Sequence, residues 1–290
     1  MRNEILAYFG ETHASHLHAE GRLGTWALMR RLDCQNDEEI LELGCGTGAT
    51  LAQLAATFRE TRFQGVDQSE LMQRKAAARL RFCGLKKRVR IRKMQRSSTL
   101  PFESGTFDKV FMESVLAIQE ESNLEDLLAE IGRVLKPNGI LVMNETIWLE
   151  SVPSERIAAI NALCKSAFGI IQATATYPYV EDWHKLLQGM DFEVTCTEKI
   201  DSNTLRPSYP LPYSLLSALF TLSGRLRSLL DPSLRREMKQ YRDTMRQMSP
   251  KDAQMLEGRI ITAAKQNRDH GDFDTRTSRA KLQARTPSSG

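Results

Sequence analysis

The sequence predicts an α/β fold, a largely parallel sheet with helices on both faces. Between residues 39 and 147, short apolar runs alternate with amphipathic segments of helical length. Such alternation builds parallel strands joined by crossover helices. The first apolar run stops at three alternating glycines, Gly44, Gly46 and Gly48, with a helical segment directly behind them. Glycines there let the backbone turn tightly and let a ligand approach the main chain.

Each element follows from its own pattern. Ile40-Leu41-Glu42-Leu43 is the first strand, and residues 48–58 carry Leu51, Leu54, Ala55 and Phe58 at helical spacing. Phe63 to Asp67 is the second strand, and residues 69–82 form a helix with Ser69 as its N-cap. Val89-Arg90-Ile91 alternates, which places a third strand near a sheet edge. Phe107 to Met112 is a fourth strand. Leu124 to Leu135 is an amphipathic helix that stops at Lys136-Pro137-Asn138-Gly139, before a fifth strand, Ile140 to Met143.

Further on, Val180 to Met190 reads as a helix and Phe192 to Thr197 as a strand. A leucine-rich helix over 213–230 and a second helix from Ser233 to Met248 follow. Leu215, Leu216, Leu219, Leu222, Leu226 and Leu229 recur at helical spacing, which predicts that this face is buried. Residues 205–251 hold nine basic side chains and three acids, a net +6. Gly258 to Ala264 is a last apolar run, and the polar stretch 268–290 is expected to be a disordered tail.

Composition narrows the function classes. The chain has 290 residues, 41% hydrophobic and 26% charged, with 17 glycines and 10 prolines. That excludes a collagen-like or mostly disordered chain. A net charge of +4 is too small to argue for nucleic acid. No run approaches the ~20 apolar residues that span a bilayer. Five cysteines, an odd number with no C-x-x-C pair, fit a reducing compartment, so a cytoplasmic location is expected. His13, His16 and His18 cluster, but no Cys or Asp joins them at ligand spacing, so no metal site is expected.

The glycine cluster is followed by an acid, Asp67, at the end of the second strand, 19 residues after Gly48. An acid there can accept hydrogen bonds from ribose hydroxyls. The pattern is not the dinucleotide fingerprint, because Leu51 stands where a later glycine falls. Four blocks then match a known pattern in order: Ile40 to Gly48, Gly65-Val66-Asp67, Leu100-Pro101-Phe102 through Asp108, and Arg133 to Gly139. At these residues the chain resembles the class I S-adenosylmethionine-dependent methyltransferases of small-molecule type, over roughly residues 38–200.

The resemblance implies a Rossmann-like, doubly wound seven-stranded sheet with its last strand antiparallel. Residues 1–37 become an N-terminal helical segment over the cofactor site, and 38–200 the cofactor-binding core. Residues 201–257 become a helical insertion acting as a lid, and 258–267 the last strand. The implied cofactor is S-adenosyl-L-methionine, held at Gly44, Cys45, Gly46, Thr47, Gly48, Asp67 and Gln68. Glu42, an acid inside an apolar strand, either reaches the cofactor's ammonium or makes a structural ion pair. Arg96 and Ser97 occupy the place where the family usually has an acid for the adenine amine. Arg96 cannot accept a hydrogen bond, so the Ser97 hydroxyl or a carbonyl must substitute. Tyr8 and His18 are candidates to close over the cofactor.

Glu113, just past the fourth strand, either lines the substrate and methionine pocket or caps the next turn. His16, His18 and Glu113 are the candidate general bases. The partner implied is a small-molecule acceptor, hydrophobic or anionic, with peripheral membrane contact through the insertion's arginines. No stable nucleic-acid partner is expected, since Met112-Glu113-Ser114-Val115 stands where base-amine methyltransferases carry Asn-Pro-Pro-Tyr. Methylation of another nucleic-acid target or of protein, and a non-catalytic cofactor-binding role, are the alternative readings. The sequence does not fix the oligomeric state.

Overall fold

The computed structural model describes residues 5–16, 18, 20–94, 99–119, 121–200, 211–248 and 254–266. Seven strands form one sheet: β1 (Glu39–Leu43), β2 (Arg62–Asp67), β3 (Val89–Lys93), β4 (Phe107–Glu113), β5 (Leu135–Trp148), β6 (Phe192–Lys199) and β7 (Leu256–Lys265). Their order is β3-β2-β1-β4-β5-β7-β6. β1 pairs parallel with both β2 and β4, while β7 runs antiparallel between β5 and β6. The strand order reverses between β1 and β4. At such a switch point the crossovers leave in opposite directions, and a crevice opens beyond the strand C-termini.

Helices cover both faces because the strands are apolar on both sides. Ile40 and Phe111 face one core, with α2 (Gly21–Leu32), α3 (Ala49–Thr57) and α4 (Glu70–Phe82). Leu41, Leu43, Val110 and Met112 face the other, with α5 (Glu121–Val134), α6 (Ser154–Phe168) and α7 (Val180–Gly189). α1 (Ile5–Glu11) packs on α4, and α9 (Pro232–Met248) packs on α6 and α1. Between β6 and β7, α8 (Leu211–Leu230) leads into α9 and packs on α3 and α4.

Several boundaries move. Residues 136–139 are not a bare helix stop. β5 begins at Leu135, opposite Phe107, and a register shift follows before Ile140 pairs with Lys109. Asn138 takes the left-handed conformation there, φ 60°. β5 also continues past Met143 to Trp148, because β7 pairs with it along that length. The last strand starts at Leu256 rather than 258, so the insertion ends earlier than expected. α6 was not expected from the sequence, although Ile157, Ile160, Cys164 and Phe168 are its buried, helix-spaced positions. Residues 201–210 and 268–290 of the expected insertion and tail lie outside the described residues.

The largest correction concerns α8. Leu215, Leu219, Leu222, Leu226 and Leu229 are exposed, so the leucine stripe is not its buried face. α8 instead buries a face of small and hydroxyl residues around Phe220, with Gly224 and Ser228. The reason is close approach. A Cβ on Gly224 would collide with the Thr12 carbonyl and come within 2.6 Å of His13 Cβ. Only a residue without a side chain lets the helix lie against that turn.

Gly224→Ala therefore tests this packing by sign. Alanine favours a helix interior by ~1 kcal/mol over glycine. The clash is expected to override this and destabilise the fold by ~1–3 kcal/mol, seen as a lower urea midpoint. An unchanged or raised midpoint contradicts the packing.

Candidate active site

The crevice beyond β1, β2 and β4 collects the residues that the sequence singles out. The turn after β1 is fixed by backbone bonds: Cys45 N–H donates to Val66 O at 2.9 Å, and Gly48 N–H to Cys45 O at 2.8 Å. Gly46 has φ +49°, and a Cβ built on it meets nothing within 4 Å. The space above the turn is thus open, and a side chain at 46 would enter it. Asp67 borders that space. Its Oδ2 accepts from Gly46 N–H at 2.9 Å and its Oδ1 from Ser69 N–H at 2.8 Å. Burial raises the Asp67 pKa, and the two N–H bonds oppose the rise. Gln68 beside it is exposed.

Glu42 is buried, and its Oε2 has no hydrogen-bond partner. Burial, then the nearby Glu113 and Asp67 carboxylates, push its pKa well up. No ion pair of the kind expected forms at Glu42 among the described residues. An orphaned buried acid beside an open cradle is a place where a cationic group would be stabilised. The chemistry of the donor set therefore fits an amino acid ammonium at Glu42 and a ribose diol at Asp67. Cys45 is buried, and burial also pushes its thiol well up, so it packs rather than reacts.

Glu113 ends β4. It accepts from Thr50 Oγ1 at 2.7 Å, Thr25 Oγ1 at 3.1 Å and Asn144 Nδ2 at 3.3 Å. His18 Nε2 lies 3.1 Å from its Oε2. Asn144 Nδ2 also lies 3.1 Å from His18 Nδ1. The loop after β4 is anchored from below. Glu145 of β5 accepts from the N–H groups of Val115, Leu116 and Ala117 at 3.0–3.1 Å. Burial pushes its pKa up to about 7 against those three donors.

The N-terminal segment is tied to the glycine turn through one side chain that sequence patterning does not single out. Arg79 of α4 is fully buried. Its Nε donates to Thr47 O at 2.9 Å and its Nη2 to His13 O at 2.9 Å. Its Nη1 donates to Ser217 Oγ at 2.8 Å and Thr221 Oγ1 at 3.1 Å, and the group lies 4.8 Å from the Phe220 ring centre. None of these acceptors is a carboxylate, and burial lowers its pKa to about 10. Thr47 Oγ1 adds a bond to Ala14 O at 2.6 Å. A signal existed: Arg79 falls with Met72, Ala76 and Leu80 on the buried face of α4.

The segment brings two of its candidates to the site. His16 and His18 have ring centres 6.0 Å apart. His16 Nε2 is buried without a partner, and the residue lines a cavity of ≈ 370 Å³ between α3, α8 and the segment. Arg22, Gln53, Ser217, Arg225 and Ala49, the residue after the glycine turn, also line it. Tyr8 sits apart from the cavity lining, its ring 5.5 Å from that of Tyr241 on α9. Arg96 and Ser97 lie outside the described residues. Among the described residues no group of three metal-ligating side chains occurs.

Comparison with known proteins agrees with this geometry. Residues 40–139 match the family model for a methyltransferase domain. An uncharacterized methyltransferase, YodH, of Bacillus subtilis is 32% identical over 192 residues, 66% of this chain and 74% of that protein. A demethylmenaquinone methyltransferase of Tropheryma whipplei is 30% identical over 167 residues, 55% of this chain and 66% of that one. Among solved structures, geranyl diphosphate C-methyltransferase of Streptomyces coelicolor, with Mg²⁺, geranyl diphosphate and S-adenosyl-L-homocysteine, superposes with a TM-score of 0.54 at 20% identity. That match covers 83% of this chain and 78% of the other. The chain belongs to the class I S-adenosylmethionine-dependent methyltransferases, and S-adenosylmethionine is the cofactor of that class.

His16 yields a pH prediction. Burial, then the His18, Arg22 and Arg79 charges, push its pKa from 6.5 down to about 4. The folded chain thus resists a proton that the unfolded chain accepts. Stability from this group is complete above pH 6.5 and is lost as pH falls to about 4. His16→Gln is expected to shrink the acid loss of unfolding free energy by up to ~3 kcal/mol, measured by urea unfolding across that range. An identical acid loss in both proteins contradicts the assignment.

Proposed function

We propose that the chain transfers a methyl group from S-adenosylmethionine to a small-molecule acceptor by in-line displacement. The observation that carries this reading is the orphaned Glu42 carboxylate beside the open space over Gly46, bordered by Asp67. Bound there, the cofactor supplies an already activated methyl electrophile. The protein's own work is placement and exclusion of water. Asp67 takes the ribose hydroxyls, and Glu42 takes the ammonium. The Gly46 cradle admits the chain between them.

The acceptor enters the cavity between α3 and α8, whose lining includes Ala49, the residue next to the glycine turn. Of the three candidate bases, His18 and Glu113 face each other, while His16 Nε2 is unpartnered and its residue lines the cavity. His16 therefore orients the acceptor's X–H group as a hydrogen-bond acceptor. Glu113 positions His18 through the Thr25, Thr50 and Asn144 network. The cavity's mixed lining, with Leu222 and Tyr213 beside Arg22 and Arg225, suits an acceptor with both apolar and anionic parts.

Asp67→Ala removes two charge-assisted hydrogen bonds to ribose, each ~1.5–3 kcal/mol. Calorimetry with S-adenosylhomocysteine is expected to show at least a ~tenfold weaker Kd with the fold retained; unchanged affinity rejects the ribose assignment. Glu113→Gln is expected to lower turnover of tritiated cofactor on a metabolite panel while S-adenosylhomocysteine affinity stays near that of the parent. Equal loss of both would place Glu113 in cofactor binding instead.

A further inference from the structure

The exposed leucines of α8 are unusual for a surface. Leu215, Leu219, Leu222, Leu226 and Leu229 are 44–62% exposed and recur at spacings of four and three, so they form one continuous stripe along the helix. Contiguous apolar surface of this kind marks an interaction site rather than ordinary exposure. α8 contains no Asp or Glu, and its two charges are Arg225 and Arg227, both exposed.

The neighbouring helix sorts its charges by face. On α9, Arg235, Arg236, Lys239 and Arg242 are exposed, while Glu237 and Asp243 are half-buried. Glu237 is turned toward Tyr8 and Tyr241. Asp231, between the helices, is held by Ser233. Six of the nine charges described on this hairpin are exposed cations, and its three acids are partly buried, with Asp231 hydrogen-bonded in the turn. Rows of leucine beside arginine and lysine are what a helix presents when it lies in a lipid interface, its apolar stripe among acyl chains and its cations at anionic headgroups.

Other occupants fit less well. A second copy would bring the same cations against these. The chain's own C-terminal stretch, residues 268–290, carries only Phe273 and Leu282 as large apolar side chains, too few to cover five leucines. We propose that the α8–α9 hairpin docks the protein on an anionic lipid bilayer, with the leucine stripe inserted and the α9 cations on the headgroups.

The test uses the full chain and vesicles of phosphatidylcholine with or without phosphatidylglycerol. Co-sedimentation is expected only with the anionic vesicles and is expected to weaken in high salt. Leu219→Glu with Leu226→Glu, both at exposed positions, is expected to weaken binding at least ~tenfold. Arg235→Gln with Lys239→Gln and Arg242→Gln is expected to do the same through the headgroups alone. S-adenosylhomocysteine affinity should be unchanged in both variants, so loss of docking is separable from loss of the methyltransferase site. No dependence on phosphatidylglycerol, or equal binding by the leucine variant, overturns the proposal. So does a dimer in sedimentation velocity that the leucine variant dissolves, because the stripe would then face a second copy.

Discussion

The Arg79 guanidinium is the point on which the site's architecture depends. A buried arginine without a carboxylate costs several kcal/mol unless its N–H groups are satisfied. Here they are satisfied by groups from three separate pieces of chain. These are the Thr47 carbonyl of the glycine turn, the His13 carbonyl of the N-terminal segment, and the Ser217 and Thr221 hydroxyls of α8. Moving any one piece strands a donor in the interior. The same constraint explains why α8 turns a hydroxyl face inward and leaves its leucines outside.

With those pieces fixed, the strand C-termini gather acids. Glu42, Asp67, Glu113 and Glu145 all lie at or near the ends of β1, β2, β4 and β5. Three of them spend their oxygens on the protein: Glu145 on the loop after β4, Glu113 on Thr25, Thr50, Asn144 and His18, and Asp67 on the Gly46 and Ser69 N–H groups. Glu42 retains an oxygen without a partner, and Asp67 stands at the rim of the open turn. The acids thus line the C-terminal end of the sheet, at the crevice of the switch point.

Much of this was legible in the sequence because it is local. Gly44 to Gly48 and Asp67 are read from their position at strand ends, and the edge placement of β3 follows from the alternation of Val89-Arg90-Ile91. What stayed hidden is tertiary. Arg79 sits in a helix with Arg74 and Arg81, and nothing in composition separates a buried arginine from solvated ones; only its register with Met72 and Ala76 does. Asn144 and Glu145 were missed because the fifth strand was expected to end at Met143, whereas β7 extends it. The α8 leucines misled for the opposite reason. Their helical spacing says which face is apolar, and the steric demand of Gly224 against Thr12, together with the hydroxyls that satisfy Arg79, decided which face is buried.

Amide hydrogen exchange of Arg79→Met against the parent chain tests the role of this guanidinium most directly. If one guanidinium ties the three pieces together, protection should fall together around Thr12–Ala14, Thr47–Leu51 and Ser217–Gly224, while β4 and β5 stay protected. Loss confined to α4, or no loss in the N-terminal segment and α8, would contradict the claim that Arg79 ties the three pieces together.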